Sequence, residues 1–358
     1  MAEYPNAKEI EDLLKTVKYP GFSRDIYSFG IVRSVDARGS EVEVVLEFST
    51  SKKEISDKVK ADVEAKLKEA GVKTVIVSAA HKDPQAKPSE SDEVENLVPG
   101  AKHIIAVASG KGGVGKSTVA ANLSVALGRL GLKVGLLDAD IHGPSVGILM
   151  GLSDEPEKHP SGQKILPMEA HGIKAMSMGV LVDNNTPLVW RGPMISSAVQ
   201  QLLKDVDWGE LDVLVLDMPP GTGDIQLTVA QNVRLDGAVI VTTPQKLALV
   251  DAGKGILMFQ KVDVPVLGIV ENMSYFLAPD TGKRYDIFDT GGARREALRH
   301  RVPFLGEVPL LPAIREGGDA GKPAAAGDDE VAGVFREVAE RVWNGINVTS
   351  VETQDEAR

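Results

Sequence analysis

The chain opens on mixed periodicities. Apolar positions in IEDLLKTV (10–17) recur at helical spacing, VEVVLEFST (42–50) alternates as a strand with one buried face does, EISDKVKADVEAKLKEAG (54–71) returns to the helical period, and VKTVIVS (72–78) predicts another strand. Residues 1–82 are therefore expected to form a small α+β domain. From 83 to 100 the periodicity stops. DPQAKPSESDEVENLVPG is rich in proline, serine and acids and reads as a linker. After residue 100 short, almost unbroken apolar runs alternate with helical segments: HIIAVAS, then STVAANLSVALGRLG, then KVGLLDAD, and further on LDVLVLDMPP, GAVIVTT, VPVLGIVENMS and VPFLGEVP. Runs apolar on both sides suit parallel strands covered by helices on both faces. The expected fold class is α/β, a mostly parallel sheet flanked by helices over 101–345, with an acidic tail at 346–358. Functional residues are expected at the carboxyl ends of the strands.

Charge narrows the partners. The 358 residues carry a net charge of −11, with basic and acidic residues balanced over 1–82 and the excess further along. No basic cluster of the kind that binds nucleic acid stands out; the basic run ARREALRH (293–300) reads as an exposed helical face. No segment approaches the ~20 continuous apolar residues of a membrane span, and the first residues lack the pattern of a secretion signal, so a cytoplasmic protein without nucleic-acid or membrane partners is expected. There are no cysteines, which removes disulfides and every thiolate ligand. The six histidines, at 81, 103, 142, 159, 171 and 300, show no metal-ligand spacing.

The chemistry is concentrated in GKGGVGKST. Gly110, four residues, Gly115, Lys116 and Ser117 follow an apolar strand and open a helix, the context a phosphate-binding loop requires. Gly110, Gly112, Gly113 and Gly115 let backbone N–H groups curl around phosphates, with Val114 and Thr118 completing the loop. Lys116 would reach the β- and γ-phosphates and Ser117 would ligate Mg²⁺, so ATP and Mg²⁺ are the expected cofactors. Two further strands end in carboxylates: Asp138 and Asp140 in LLDADIHGPS, and Asp217 in VLVLDMPPGTGD, the position from which a Walker B aspartate holds the Mg²⁺ shell.

With its early lysine, KGGVGKST resembles the deviant Walker A loop of the septum-site and plasmid-partition ATPases, the nitrogenase iron protein and the iron–sulfur carrier ATPases. The resemblance implies a homodimer in which Lys111 reaches the phosphates of the second copy, and in which Asp140 positions the attacking water. DADIHGPS, WRGPM, LDMPPGTGD, TTPQKLALVDAGKGI and GIVENMSYF occur in the order seen in the Mrp/ApbC group over about residues 100–345, and YPGFSRDIYSFGIV is similar to the opening of the MIP18 (DUF59-type) module. The group implies slow ATP hydrolysis and iron–sulfur protein maturation, with apoproteins or assembly factors as partners, and Asn272 aligns with a residue that hydrogen-bonds adenine. One departure matters. The group's F-x-C-P-x-C-G, which holds a bridging iron–sulfur cluster, reads FLAPDTG here, with Ala278 and Thr281 at the cysteine positions. Clusters are built on thiolates, so this chain is not expected to carry one unaided. The alternative is a nucleotide-switched scaffold or partition-like ATPase that carries no cluster.

Overall fold

The computed structural model describes residues 7–18, 20, 25–27, 31–38, 41–48, 53–81, 96–141, 143–152, 156–160, 162, 164–180 and 192–356. His142 and most of the 83–100 linker lie outside the described residues. The chain divides into two compact units, Met1–Glu93 and Val94–Arg358.

In the first unit, helix α1 (Ala7–Leu14), strands β1 (Val32–Arg38) and β2 (Glu41–Phe48), helix α2 (Lys53–Glu69) and strand β3 (Thr74–His81) build a three-stranded sheet of order β1-β2-β3. β1 runs antiparallel to β2, and β3 is parallel to β2 because α2 carries the chain back across the sheet. The alternation of β2 buries Val42, Val44 and Leu46, and the four-residue spacing of Val59, Val63 and Leu67 turns one stripe of α2 onto them. β1 escaped the periodicity argument because VRSVDAR alternates weakly and exposes Arg33 and Ser34.

The second unit holds an eight-stranded sheet of order β13-β10-β9-β4-β8-β5-β7-β6. Its strands are β4 (Ala101–Ala108), β5 (Val134–Asp138), β6 (Met168–Ala170), β7 (Ile173–Ser177), β8 (Leu211–Asp217), β9 (Gly237–Thr242), β10 (Val266–Glu271) and β13 (Phe304–Glu307). All neighbours are parallel except β6 and β7, a short hairpin that turns at His171 and Gly172, both at positive φ. Successive strand residues feed two cores. Ile104, Ala106 and Ala108 pack with helices α5 (Gly192–Asp205), α6 (Asp224–Asn232), α7 (Lys246–Lys261) and α8 (Gly292–His300); Ile105 and Val107 pack with α3 (Lys116–Arg129), α4 (Val146–Leu149), α9 (Pro312–Asp319) and α10 (Glu330–Glu356). The apolar runs are continuous because both faces are covered. A two-stranded ladder, β11 (Phe276–Leu277) with β12 (Arg284–Tyr285), follows β10.

The strand order decides where chemistry can occur. β4 is central, and the chain leaves it through α3 to β5 on one side, while β9, reached from β8, lies on the other. The carboxyl ends of β4, β5, β8, β9 and β10 therefore lie along one edge of the sheet, on both sides of the point where the order reverses.

Candidate functional site

The loop from Gly110 to Gly115 joins β4 to α3. Gly113 and Gly115 both sit at φ +80, which l-side chains rarely adopt, and a Cβ on Gly112 or Gly113 would meet nothing within 4 Å. The loop thus presents bare backbone to open space, and among the described residues no side chain caps the start of α3, whose first N–H groups are left for an anion. Gly110 has a different reason to be glycine. A Cβ there would lie 2.2 Å from the Asp251 carbonyl of α7, so the helix passes directly against the loop.

Lys116 is buried, and its Nζ donates to Asp217 Oδ1 at 2.5 Å and to Ser117 Oγ at 3.0 Å. Residues 101 positions apart in sequence thus meet because β4 and β8 are neighbours. Asp217 is fully buried, and burial pushes its carboxyl up against the pull of the Lys116 ammonium. Its other oxygen, Oδ2, has no hydrogen-bond partner among the described residues. A hydroxyl and a carboxylate with a free buried oxygen are hard donors of the kind Mg²⁺ takes, so Ser117 and Asp217 fit that ion, and Lys116 with the open loop fits a polyphosphate.

Asp138, at the end of β5, organises the next segment. Its Oδ1 accepts the Asp140 N–H at 3.0 Å, and its Oδ2 accepts the N–H groups of Ser145 and Val146 at 2.9 and 3.0 Å and the Ser177 hydroxyl at 3.0 Å. It caps α4 and shapes the turn that carries Asp140, itself buried and accepting the Gly143 N–H at 3.3 Å. Burial, with the Asp217 carboxylate nearby, pushes the Asp138 carboxyl up to about 6. Lys111 is half-buried, and its ammonium has no partner among the described residues.

Asn272 lies on the opposite side of the loop. Its Nδ2 donates to the Val114 carbonyl at 2.8 Å and sits 2.2 Å from where a Gly115 Cβ would be, so it braces the loop directly. That leaves its Oδ1 as the atom available to a base. Beside it, the buried Glu271 accepts the Ser274 hydroxyl at 2.8 Å and the Ala293 N–H at 2.7 Å, tying the residues after β10 to the start of α8. Sequence reasoning passed over Glu271; a carboxylate ending a buried apolar strand was the available signal.

Ala278 and Thr281 stand in the turn between β11 and β12. The Gly282 N–H donates to the Ala278 carbonyl at 2.8 Å and the Ala278 N–H to the Lys283 carbonyl at 3.0 Å. Ala278 is buried and Thr281 exposed. Among the described residues no group of three or more histidine, cysteine, aspartate or glutamate side chains could hold a metal ion, and no helix is long and apolar enough to cross a membrane. The three arginines of α8 are exposed, with Arg294 over the Phe304 ring at 4.5 Å and Arg295 3.6 Å from Asp289, while His300 is half-buried.

Residues 100–343 match the family described as NUBPL iron-transfer P-loop NTPase, and residues 7–78 match the iron–sulfur cluster assembly protein family. An iron–sulfur cluster carrier protein of Deinococcus radiodurans is 45% identical over 341 residues, covering 94% of this chain and 95% of that protein. Among solved structures, a nucleotide-binding protein from Archaeoglobus fulgidus in complex with ADP is 40% identical with a TM-score of 0.57, covering 66% of this chain and 93% of that one. The cell division ATPase MinD of Pyrococcus furiosus is 26% identical with a TM-score of 0.53, covering 68% and 98%.

Proposed function

Since this chain belongs to the NUBPL iron-transfer P-loop NTPase family, with an iron–sulfur cluster assembly domain before it, we propose that it is a Mg²⁺-dependent ATPase of slow turnover, acting as a cytoplasmic homodimer in iron–sulfur protein maturation. The observation that carries the reading is the buried contact of Lys116 with Asp217 and Ser117, beside a glycine loop whose backbone faces open space.

In this reading Lys116 leaves Asp217 for the β- and γ-phosphates when ATP enters, and Ser117 and Asp217 would hold the ion. Bound Mg²⁺ would offset the phosphate charge. Asp140, fixed by the turn that Asp138 organises, orients the attacking water. Lys111, whose ammonium has no partner among the described residues, supplies a cation to the phosphates of the other copy, as an arginine finger does elsewhere. Asn272 keeps Nδ2 on Val114 and offers Oδ1 to the amino group of adenine.

The chain supplies no cysteine and holds Ala278 and Thr281 in the β11–β12 turn, so any cluster in its pathway is substrate held by thiolates that client apoproteins, assembly factors or small thiols provide. That same turn supports a second reading, a nucleotide-switched scaffold or partition-like ATPase that handles no cluster. Phosphate release tests the first step. Lys116→Ala and Asp217→Asn are each expected to lower turnover at saturating ATP by at least about a hundredfold, on the scale of lost phosphate and metal contacts. Wild-type turnover in Lys116→Ala would overturn the assignment. Pull-downs with and without ATP separate the two readings, since only the maturation reading expects iron–sulfur apoproteins among the partners.

A further inference from the structure

The loop that follows Asp217 is short of its own hydrogen-bond donors. Met218-Pro219-Pro220-Gly221-Thr222-Gly223 leads from β8 into α6, and its two prolines have no N–H. What fastens it is a side chain two residues into α6. Gln226 is 1% exposed, and its Nε2 donates to the Pro219 carbonyl and, at 3.4 Å, to the carbonyl of Ser109, the residue immediately before the phosphate loop. The Gly221 N–H donates to the same Ser109 carbonyl at 3.0 Å, and the Ser109 hydroxyl donates to the Lys111 carbonyl at 2.9 Å. Gln226 thus joins the segment carrying the metal-side carboxylate to the root of the loop carrying Lys111 and Lys116. Its orientation is fixed by chemistry, because the reversed amide would set Oε1 against two carbonyl oxygens. As placed, Oε1 is buried without a partner among the described residues, so the side chain is poorly suited to a purely structural post.

We infer that Gln226 is a positioning residue for hydrolysis: it sets the distance between the loop after the Walker B strand and the phosphate loop, and so affects turnover rather than nucleotide binding. It touches neither phosphate nor metal and acts through the Pro219 and Ser109 carbonyls. The inference rests on the ATPase reading.

The test compares wild-type protein, Lys116→Ala, Gln226→Met and Gln226→Glu in full-length chains, measuring phosphate release across ATP concentrations, ADP affinity by calorimetry and Tm. Methionine keeps the length and removes both donated bonds. Glutamate keeps the shape and turns the donor into an acceptor facing two carbonyls. Gln226→Met is expected to lower kcat at least tenfold, with ADP affinity within threefold of wild type and Tm lower by no more than a few degrees, since the Pro219 carbonyl loses its donor while the unpaired Oε1 is removed as well. Gln226→Glu is expected to lower kcat further. Wild-type turnover within twofold in Gln226→Met, or a loss of kcat that falls in step with Tm and ADP affinity, would overturn the positioning role while leaving the ATPase reading intact. If the wild-type protein shows no Lys116-dependent turnover, the ATPase reading fails and this inference fails with it.

Discussion

Asp138 shows what burial does to a single group. Four donors converge on its carboxylate, which favours the charged form, yet burial and the neighbouring Asp217 outweigh them and raise its proton affinity from 3.8 to about 6. The folded protein therefore holds this proton more tightly than the unfolded chain. Its contribution to stability is present below about pH 4 and lost as pH rises through about 6, up to about 3 kcal/mol in all. Between pH 7 and 4 the Tm of nucleotide-free wild-type protein is expected to rise relative to that of Asp138→Asn; a difference independent of pH would contradict the assignment. Lys116, Ser117 and Asp217 stand out as candidates from their motifs alone, and the fold brings the three side chains together. The bonds of Asn272 to the loop and of Glu271 to α8 were not, because they join residues whose separation in sequence carries no periodic signal.

Elements were legible where both faces of a strand or one stripe of a helix are buried. The runs in β4, β5, β8, β9 and β10 announce themselves through continuous apolarity; in α10, Phe335, Val338, Ala339, Val342 and Ile346 are all buried at helical spacing, and the helix runs on to Glu356. Phe335 has no exposed surface, so Phe335→Ala is expected to cost about 3–5 kcal/mol in denaturant unfolding of the second unit. The β6–β7 hairpin and the β11–β12 ladder carry no such signal: β6, β11 and β12 have two or three residues, too few to show a period, and Lys174 breaks the apolar run of β7. At the start of α3, Gly115→Ala would strain a backbone held at φ +80 by about 1–3 kcal/mol and drive a methyl group into Asn272. ADP affinity measured by calorimetry is expected to fall more than tenfold.

In the proposed reading the whole molecule works with a second copy of itself and with a cargo. If Lys111 acts across a dimer, Lys111→Ala largely keeps ATP binding and loses hydrolysis, and mixing it with Asp140→Ala restores part of the turnover, because one composite site of the heterodimer then has both residues. Demonstrated heterodimers without recovery would place Lys111 in cis or out of the reaction. Anaerobic incubation with iron and sulfide is expected to leave no stoichiometric cluster and no sulfide-to-iron absorption band, since Ala278 offers a methyl group and Thr281 a neutral hydroxyl. A stable, transferable cluster would show that an outside thiol completes the site.

The amino-acid sequence by itself determined the phosphate loop, the carboxylates at the ends of β5 and β8, the parallel α/β class and the lack of thiolate ligands, because each depends on residue type or on local spacing. Only the tertiary structure decided that Lys116 reaches Asp217, that Asn272 and α7 close on the loop backbone, and that Gln226 joins the two loops. Those contacts follow from the strand order, which brings the ends of β4, β8 and β10 together. Strand order is fixed by how the helices pack across the whole sheet, and no local stretch of the chain encodes it.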